Sequence, residues 1–397
     1  MIPRTKVNYR FADLVRALFM SERGDGFRVA LGESLAAMFG TRNVLLAASG
    51  RGALYTLLSA LPQKKVLVPA YTCKAVVEAA RFAGKELVFG ESEADGFNMA
   101  PESLNGLLDA DTIVVATHQF GIPCAIARTV ELARTKGAFV VEDAAASLGT
   151  RVDGQLTGTF GDAAVFSFDS TKLVNVPMKG GFLLVRDAAL FQRCKAFAAT
   201  ATQPMPLARK LRFLALGAAL LAIEQPLLYR FFHNVKFRWR NRFTDDHAGL
   251  AQDLDPFYTD RLAEWQARIL VPQLARLAAT IATRQRIYAA YLERLRGALG
   301  FALPPADARA EWAPIRFPIR ARGDKLELYR RAVERGVDFA FSFTFIASPP
   351  GFRRSHALAD AVLDLPFYER LSERELEQVA AVLKRIDHDL LEESAAC

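Results

Sequence analysis

The sequence predicts an α/β fold: a mostly parallel central sheet covered by helices on both faces, followed by a smaller α+β unit. Three observations predict it. Between residues 43 and 168, short apolar runs alternate with helical stretches of about ten to twelve residues. The runs are apolar at successive positions, as strands buried on both faces are. Polar residues collect where the runs end, and in parallel sheets ligands sit at the carboxyl ends of strands.

Residues 1–40 read as helices, because 11–19 and 29–39 place apolar residues at helical spacing. They are expected to pack on the main body. Strands follow at 43–48, 65–69, 86–89, 112–116, 138–141 and 163–168. Helices open at Ser49 and cover 72–82, 101–108 and 125–135. Residues 257–299 read as one or two long helices. Strands at 313–319 and 337–341, with helices at 325–335 and 373–390, complete the small α+β unit. The expected division is an N-terminal helical segment over 1–40, a large domain over 41–256 and a small domain over 257–397, with the site between the last two.

With 397 residues, 51% apolar and 24% charged, the chain can bury a sizeable core. Cys73, Cys124, Cys194 and Cys397 show no Cys-x-x-Cys spacing. That argues against a zinc knuckle or a disulfide framework and fits a reducing cytoplasm. The first ten residues hold no apolar run of the secretory kind. The net charge of +8 is local, since residues 209–242 carry eight basic side chains against Glu224 alone.

Lys172 follows the apolar run Ala163-Ala-Val-Phe-Ser-Phe168. An amine at the exit of a buried strand is desolvated, which lowers its pKa and frees its lone pair. Such a lysine forms a Schiff base with an aldehyde, most often pyridoxal phosphate; an ordinary loop lysine is the competing explanation. Ser49-Gly50-Arg51-Gly52 follows a strand and opens a helix. Its N–H groups and dipole suit a phosphate, and the same residues suit an ordinary helix cap. Glu142 and Asp143 end a strand, where buried carboxylates need partners. One of them could be a metal ligand, a base, or the acceptor for a protonated pyridine nitrogen. No histidine or cysteine cluster accompanies them, so no metal is expected. His118 ends another strand and reads as structural.

A phosphate cradle, a strand-end aspartate and a strand-end lysine, in that order, resemble a fold-type I pyridoxal-phosphate enzyme. The chain looks like the DegT/StrS family of sugar aminotransferases over nearly its whole length. The resemblance rests on Ala48-Ser-Gly-Arg-Gly-Ala-Leu54, Val68-Pro-Ala-Tyr-Thr72, Thr117-His-Gln-Phe-Gly121, Val141-Glu-Asp-Ala-Ala145, and the segments 161–172, 261–267 and 363–372. It implies a pyridoxal 5′-phosphate cofactor and a homodimer. It also implies transfer of an amino group from a donor such as glutamate to a keto group of a sugar-like acceptor, nucleotide- or lipid-linked. It makes Lys172 the Schiff-base lysine and proton shuttle, and Asp143 the partner of the pyridine N–H. Gly50, Arg51 and Ser167 become the holders of the 5′-phosphate. Cys73 stands where the family has an aromatic on the cofactor ring, so stacking there depends on whether Tyr71 substitutes. Arg261 stands where the family lends an arginine to the partner subunit's phosphate site.

There are departures. Arg51 replaces a threonine, Ala146 a glutamine or histidine, and Lys179 the glutamate of Glu-Gly-Gly, with one extra residue before it. They keep two alternatives open. One is a pyridoxal-phosphate enzyme of another reaction type: dehydratase, epimerase or condensing enzyme. The other is a non-catalytic, membrane-attached binding or regulatory protein on this fold.

Residues 200–246 read as an insertion into the family pattern. The uncharged run 213–223 is 11 residues long, short of the roughly 20 that a bilayer needs. Pro226 then breaks the helix, and arginines interleave with aromatics. This is the composition of an interfacial hairpin. Anionic lipid would add roughly 1 kcal/mol per Lys or Arg near the surface. The partners expected through 209–242 are an anionic membrane surface at the inner face, a lipid-linked substrate or an acidic carrier protein. The competing expectation is a hairpin buried between subunits. No nucleic-acid motif is present, and no nucleic-acid partner is expected.

Overall fold

The apolar runs of the first half pair side by side. The computed structural model describes residues 1–22, 24–240, 249–297, 300–304, 311–344 and 346–396, with the backbone alone for 235–240 and 390–396. After α1 (Phe11–Leu18) and α2 (Gly26–Phe39) come β1 (Val44–Ala47), α3 (Gly50–Ala60), β2 (Lys65–Pro69), α4 (Lys74–Phe82), β3 (Glu86–Gly90), β4 (Thr112–Thr117), α5 (Ile126–Thr135) and β5 (Phe139–Asp143). A short hairpin of β6 (Arg151–Val152) and β7 (Gln155–Leu156) precedes β8 (Ala163–Ser167) and β9 (Gly181–Val185). The large sheet has the order β1-β9-β8-β5-β4-β2-β3. Neighbours from β8 to β3 are parallel, and β9 is antiparallel to both strands beside it. Every position of β4 is buried, as a strand covered on both faces requires. The helix expected at 101–108 is a single 3-10 turn, Pro101–Leu104. Asn105 leaves helical geometry and Gly106 takes a left-handed φ of 77°, which ends the run.

Next come α6 (Ala188–Ala201), α7 (Leu207–Ile223), α8 (Pro226–Arg240), α9 (Pro256–Thr259), α10 (Glu264–Ala275) and α11 (Leu277–Arg294). The remaining elements are β10 (Phe301–Ala302), β11 (Phe317–Ala321), α12 (Lys325–Glu334), β12 (Ala340–Phe341), α13 (Arg353–Ala361), β13 (Val362–Leu365) and α14 (Glu373–Ala396). Their strands form an antiparallel sheet ordered β10-β11-β13-β12. Tyr291, Phe317, Ile319, Leu363 and Leu383 fill its core. A separate core against the large sheet joins Leu31 and Leu35 of α2, Phe166, Phe168, Phe182 and Trp265 of α10. The strand expected at 313–319 starts only at Phe317. Upstream, the N–H groups of Ala313 and Ile315 donate to Thr150 Oγ1 and the Phe120 carbonyl. Residues before α1 are not helical: Ile2 bridges Val337 and Arg4 pairs with Asp338.

The insertion forms the expected helix pair, α7 and α8. Leu207–Ile223 and Pro226–Asn234 meet at 105°. The basic side chains expected at Lys236, Arg238 and Arg240, and residues 241–246, lie outside what is described. Among the described residues, no single helix is long and apolar enough to cross a membrane.

Alternation along β5 sends Glu142 and Asp143 to opposite faces of the sheet. Glu142 is fully buried and fully matched. Oε1 accepts the N–H groups of Phe160 (2.7 Å) and Gly161 (2.8 Å), and Oε2 accepts Gly158 N–H (2.7 Å). His118 Nε2 completes the set at 3.1 Å. Cys124 N–H donates to His118 Nδ1, so the ring proton sits on Nε2. The pair ties the 158–161 loop to the sheet, the structural role expected of His118. Glutamine at 142 would turn one acceptor oxygen into a donor and leave two N–H groups facing it. Each unmatched buried group costs about 1–3 kcal/mol. Glu142→Gln is therefore expected to lower the thermal unfolding midpoint by roughly 5 °C or more, and an unchanged midpoint would contradict this role.

Candidate active site

Because β2, β4, β5 and β8 run the same way, their carboxyl ends open onto one cavity of about 220 Å³. The N-termini of α3 and α4 face it too, and Ile315, Arg316 and Phe343 reach it from the side of the second sheet. Six of the seven expected site residues line it: Gly50, Arg51, Cys73, Asp143, Ser167 and Lys172.

Lys172 sits in a turn that its neighbours hold. Its N–H donates to the Asp169 carbonyl (2.9 Å), and Asn175 Nδ2 donates to the Lys172 carbonyl (2.9 Å). The half-buried amine faces the cavity. Burial pushes its pKa down, Arg316 adds to the fall, and Asp169 and Asp143 oppose it without reversing it. Asp143 lies on the cavity wall. Its Oδ1 accepts Ala145 N–H (3.1 Å), and burial pushes its carboxyl up. A carboxylate held in this way is relieved by a donor or a cation placed in the cavity.

At the other end, Ser49 caps α3. Its Oγ accepts Gly52 N–H at 2.9 Å and donates to the Phe257 carbonyl at 2.6 Å. That leaves the N–H groups of Gly50 and Arg51 at the positive end of an eleven-residue helix. The approach there is close. A Cβ on Gly50 would sit 3.1 Å from Ser167 Cβ, and one on Gly181 would sit 2.5 Å from Gly50 N. The Arg51 guanidinium is turned to Asp255 (3.4 Å) and Glu78 (3.8 Å), over the Tyr258 ring. What Arg51 presents to an anion is therefore its backbone amide. Two further hydroxyls on the wall, Thr72 Oγ1 and Thr117 Oγ1, are buried with no hydrogen-bond partner among the described residues.

Arg261, expected to serve the partner subunit's site, lies outside the cavity of its own chain. Its guanidinium binds Thr202 Oγ1 and the carbonyls of Thr202 and Ala199, because residues 260–261 are drawn against the end of α6. One expectation needs correction: Tyr71 does not substitute for the aromatic missing at Cys73. It is fully buried, donates to the Ser342 carbonyl and packs on Phe120 and Phe343.

The aromatics on the wall are Phe120 and Phe343, stacked with centroids 6.0 Å apart. Both have left-handed backbones, φ 59° and 51°, a strained state for an aromatic residue that persists where surroundings over-determine it. Sequence reasoning missed both, and it also missed Asp169, Arg316, Thr72 and Thr117 as wall residues. Lys179 was visible only as a departure. It pairs with Asp169, whose Oδ1 also accepts from the backbone and hydroxyl of Thr171. Burial pushes the Asp169 carboxyl up, but Lys179 outweighs it and holds the group well below the usual carboxylate range. Met178, directly before Lys179, has a left-handed backbone with φ 69°. Arg316, paired with Asp364 at 2.8 Å, directly precedes β11 of the other sheet and carries no local motif.

The chain matches the profile of the DegT/DnrJ/EryC1/StrS aminotransferase family over residues 20–384. It belongs to that family. The family's cofactor is pyridoxal 5′-phosphate. Among the relatives is the UDP-N-acetyl-3-dehydro-alpha-D-glucosamine 3-aminotransferase of Acidithiobacillus ferrooxidans. It is 27% identical over 377 residues, 90% of this chain and 88% of that one. A GDP-perosamine synthase of Escherichia coli O157:H7 is 32% identical over 153 residues, 38% of this chain and 42% of that one. Among solved structures, the aminotransferase TlmJ of Streptoalloteichus hindustanus has a TM-score of 0.74 at 22% identity, covering 99% of both chains. PseC of Helicobacter pylori has 0.75 at 15% identity, covering 98% of this chain and 99% of that one. These two share the fold.

The charge balance around Lys172 can be read by titration. Its amine is expected to react with an acylating probe with a midpoint below the ordinary lysine value of 10.5. Asp169 raises that pKa, so Asp169→Asn should move the midpoint further down. Mass spectrometry of the labelled peptide across pH reads it, and an upward shift would contradict the assignment.

Proposed function

We propose that the chain is a pyridoxal-phosphate-dependent aminotransferase that moves an amino group from a donor such as glutamate to the keto group of a sugar-like acceptor. One observation carries this reading: a desolvated lysine and a desolvated aspartate share a cavity with the free N–H groups of a helix N-terminus. The residues present fit the cofactor. The amides of Gly50 and Arg51, with Ser167, would hold the phosphate. Asp143, raised by burial, would gain a partner in the pyridine N–H. Thr72 and Thr117 offer hydroxyls to the remaining polar atoms, and Cys73 would border the ring. When bound, the cofactor supplies an electron sink for a substrate that loses its Cα proton.

Lys172 does the rest of the work in this proposal. Its lowered pKa keeps a neutral fraction available as nucleophile and as the base that carries the proton. Asp169 limits that fall and holds the turn. Large and small domains over 41–256 and 257–397 are part of the same reading, as is a cytoplasmic location. The position of Arg261, outside its own cavity, supports a homodimer in which it serves the partner's site. Relatives named for UDP- and GDP-sugars support a nucleotide-linked acceptor. The basic hairpin supports a place at an anionic membrane face, where a lipid-linked acceptor would also be found.

Purified protein given pyridoxal phosphate should show a visible band that shifts when L-glutamate is added. Lys172→Ala is expected to lose that band and to lower turnover by at least about 10³-fold, with circular dichroism unchanged. Turnover kept in this variant would sink the assignment.

A further inference from the structure

We infer that α1, α7 and α8 form one continuous face that docks on an anionic lipid surface, apolar side chains entering the acyl boundary and arginines at the headgroups. The inference rests on the peripheral placement proposed above and not on the chemistry of the cavity.

The apolar exposure is concentrated. Among the described residues, thirteen large apolar side chains are exposed, and eleven of them belong to α1 with Phe19 after it, to α7 or to α8. Phe19, Leu227 and Phe231 are 82%, 86% and 70% exposed. Helical spacing makes each set a stripe. On α1 it is Phe11, Val15 and Leu18; on α8 it is Leu227, Leu228, Phe231 and Phe232. The opposite faces are already occupied. Leu14 and Ala17 of α1 are buried. On α8, Tyr229 donates to Asp338, and His233 Nε2 lies 3.1 Å from the Tyr329 hydroxyl.

The three helices are joined rigidly. Lys210 Nζ of α7 donates to the Met20 carbonyl just past α1 (2.8 Å). At the corner between α7 and α8, Glu224 accepts Val7 N–H (2.5 Å) and pairs with Arg370 (2.6 Å). A 105° bend turns α8 away from the line of α7. Neither helix of the bent pair is long and apolar enough to cross a bilayer by itself, and a bent amphipathic pair suits an interface.

Charge selects the occupant. Arg209 and Lys210 are paired with Asp260 and Glu22, while Arg212 and Arg230 are exposed. In sequence, Lys236, Arg238, Arg240 and Arg242 follow directly. A two-fold contact between copies would set this basic segment against itself. An anionic bilayer complements it. The face is also near the chemistry. Asn8, two residues before the α1 cap, donates from Nδ2 to the Leu173 carbonyl (2.7 Å) and from N–H to Asn175 Oδ1 (3.0 Å), in the loop that carries Lys172.

The test is co-sedimentation of the full chain with vesicles of phosphatidylglycerol and phosphatidylcholine, against phosphatidylcholine alone. Binding is expected to the anionic vesicles only and to weaken with added salt. The variant Phe19→Ser/Leu227→Ser/Phe231→Ser and the variant Arg212→Gln/Arg230→Gln should each lower the bound fraction by about tenfold. Without vesicles, both should keep the spectral response to L-glutamate, so a failed docking face and a failed catalytic assignment give different results. Equal binding to neutral vesicles, no binding at all, or binding unchanged in both variants would overturn the inference. So would variants that turn a dimer into monomers without any lipid binding, since the face would then join copies of the chain.

Discussion

Strands that run the same way must end at the same edge. That constraint underlies the whole site. Parallel pairing sets Thr117 of β4 beside Asp143 of β5, and Asp143 beside Val165 of β8. The polar residues that follow each strand therefore arrive level with one another, although they are far apart in sequence. Alternation within β5 then separates two neighbouring carboxylates by task. Glu142 is consumed by four hydrogen bonds that hold a loop, and Asp143 is left facing the cavity with one. A shift of one residue in register would exchange them.

Burying charge in such a place is costly unless partners are arranged. Here the partners are mostly supplied by the chain. Lys179 has Asp169, Arg316 has Asp364, and Arg51 has Asp255 and Glu78. Lys172 is different. The carboxylates near it moderate its pKa without restoring it. Strained residues lie on this wall and beside it. Phe120, Phe343 and Met178 each hold a left-handed backbone, at a cost of about 1–3 kcal/mol apiece. Phe120 and Phe343 are the stacked aromatics of the wall, and Met178 directly precedes Lys179.

The segment before α1 ties the surface to the site. Ile2 is bonded into the second sheet's surroundings, Val7 to Glu224 at the hairpin corner, and Asn8 to the loop after Lys172. Ten residues therefore touch the small sheet, the basic hairpin and the loop that carries Lys172. These contacts place the exposed face of α1, α7 and α8 within the same rigid frame as the cavity.

The sequence by itself determined the alternation of strand and helix, the parallel sheet, and the cluster of Gly50, Asp143, Ser167 and Lys172. It could do so because period and strand exits are local properties, and parallel pairing converts local exits into one shared edge. It also marked the hairpin, since composition and a proline break are local too. Tertiary structure alone decided the rest. Arg316 and Phe343 reach the wall from segments flanking β11 and β12, strands of a sheet whose pairing is antiparallel and distant in sequence. Tyr71 has the right neighbours in the chain but is drawn off by Ser342. The stripe on α1 became part of a larger surface only when it packed beside α7. Contacts between residues far apart in the chain depend on how elements dock, and no local pattern records that docking.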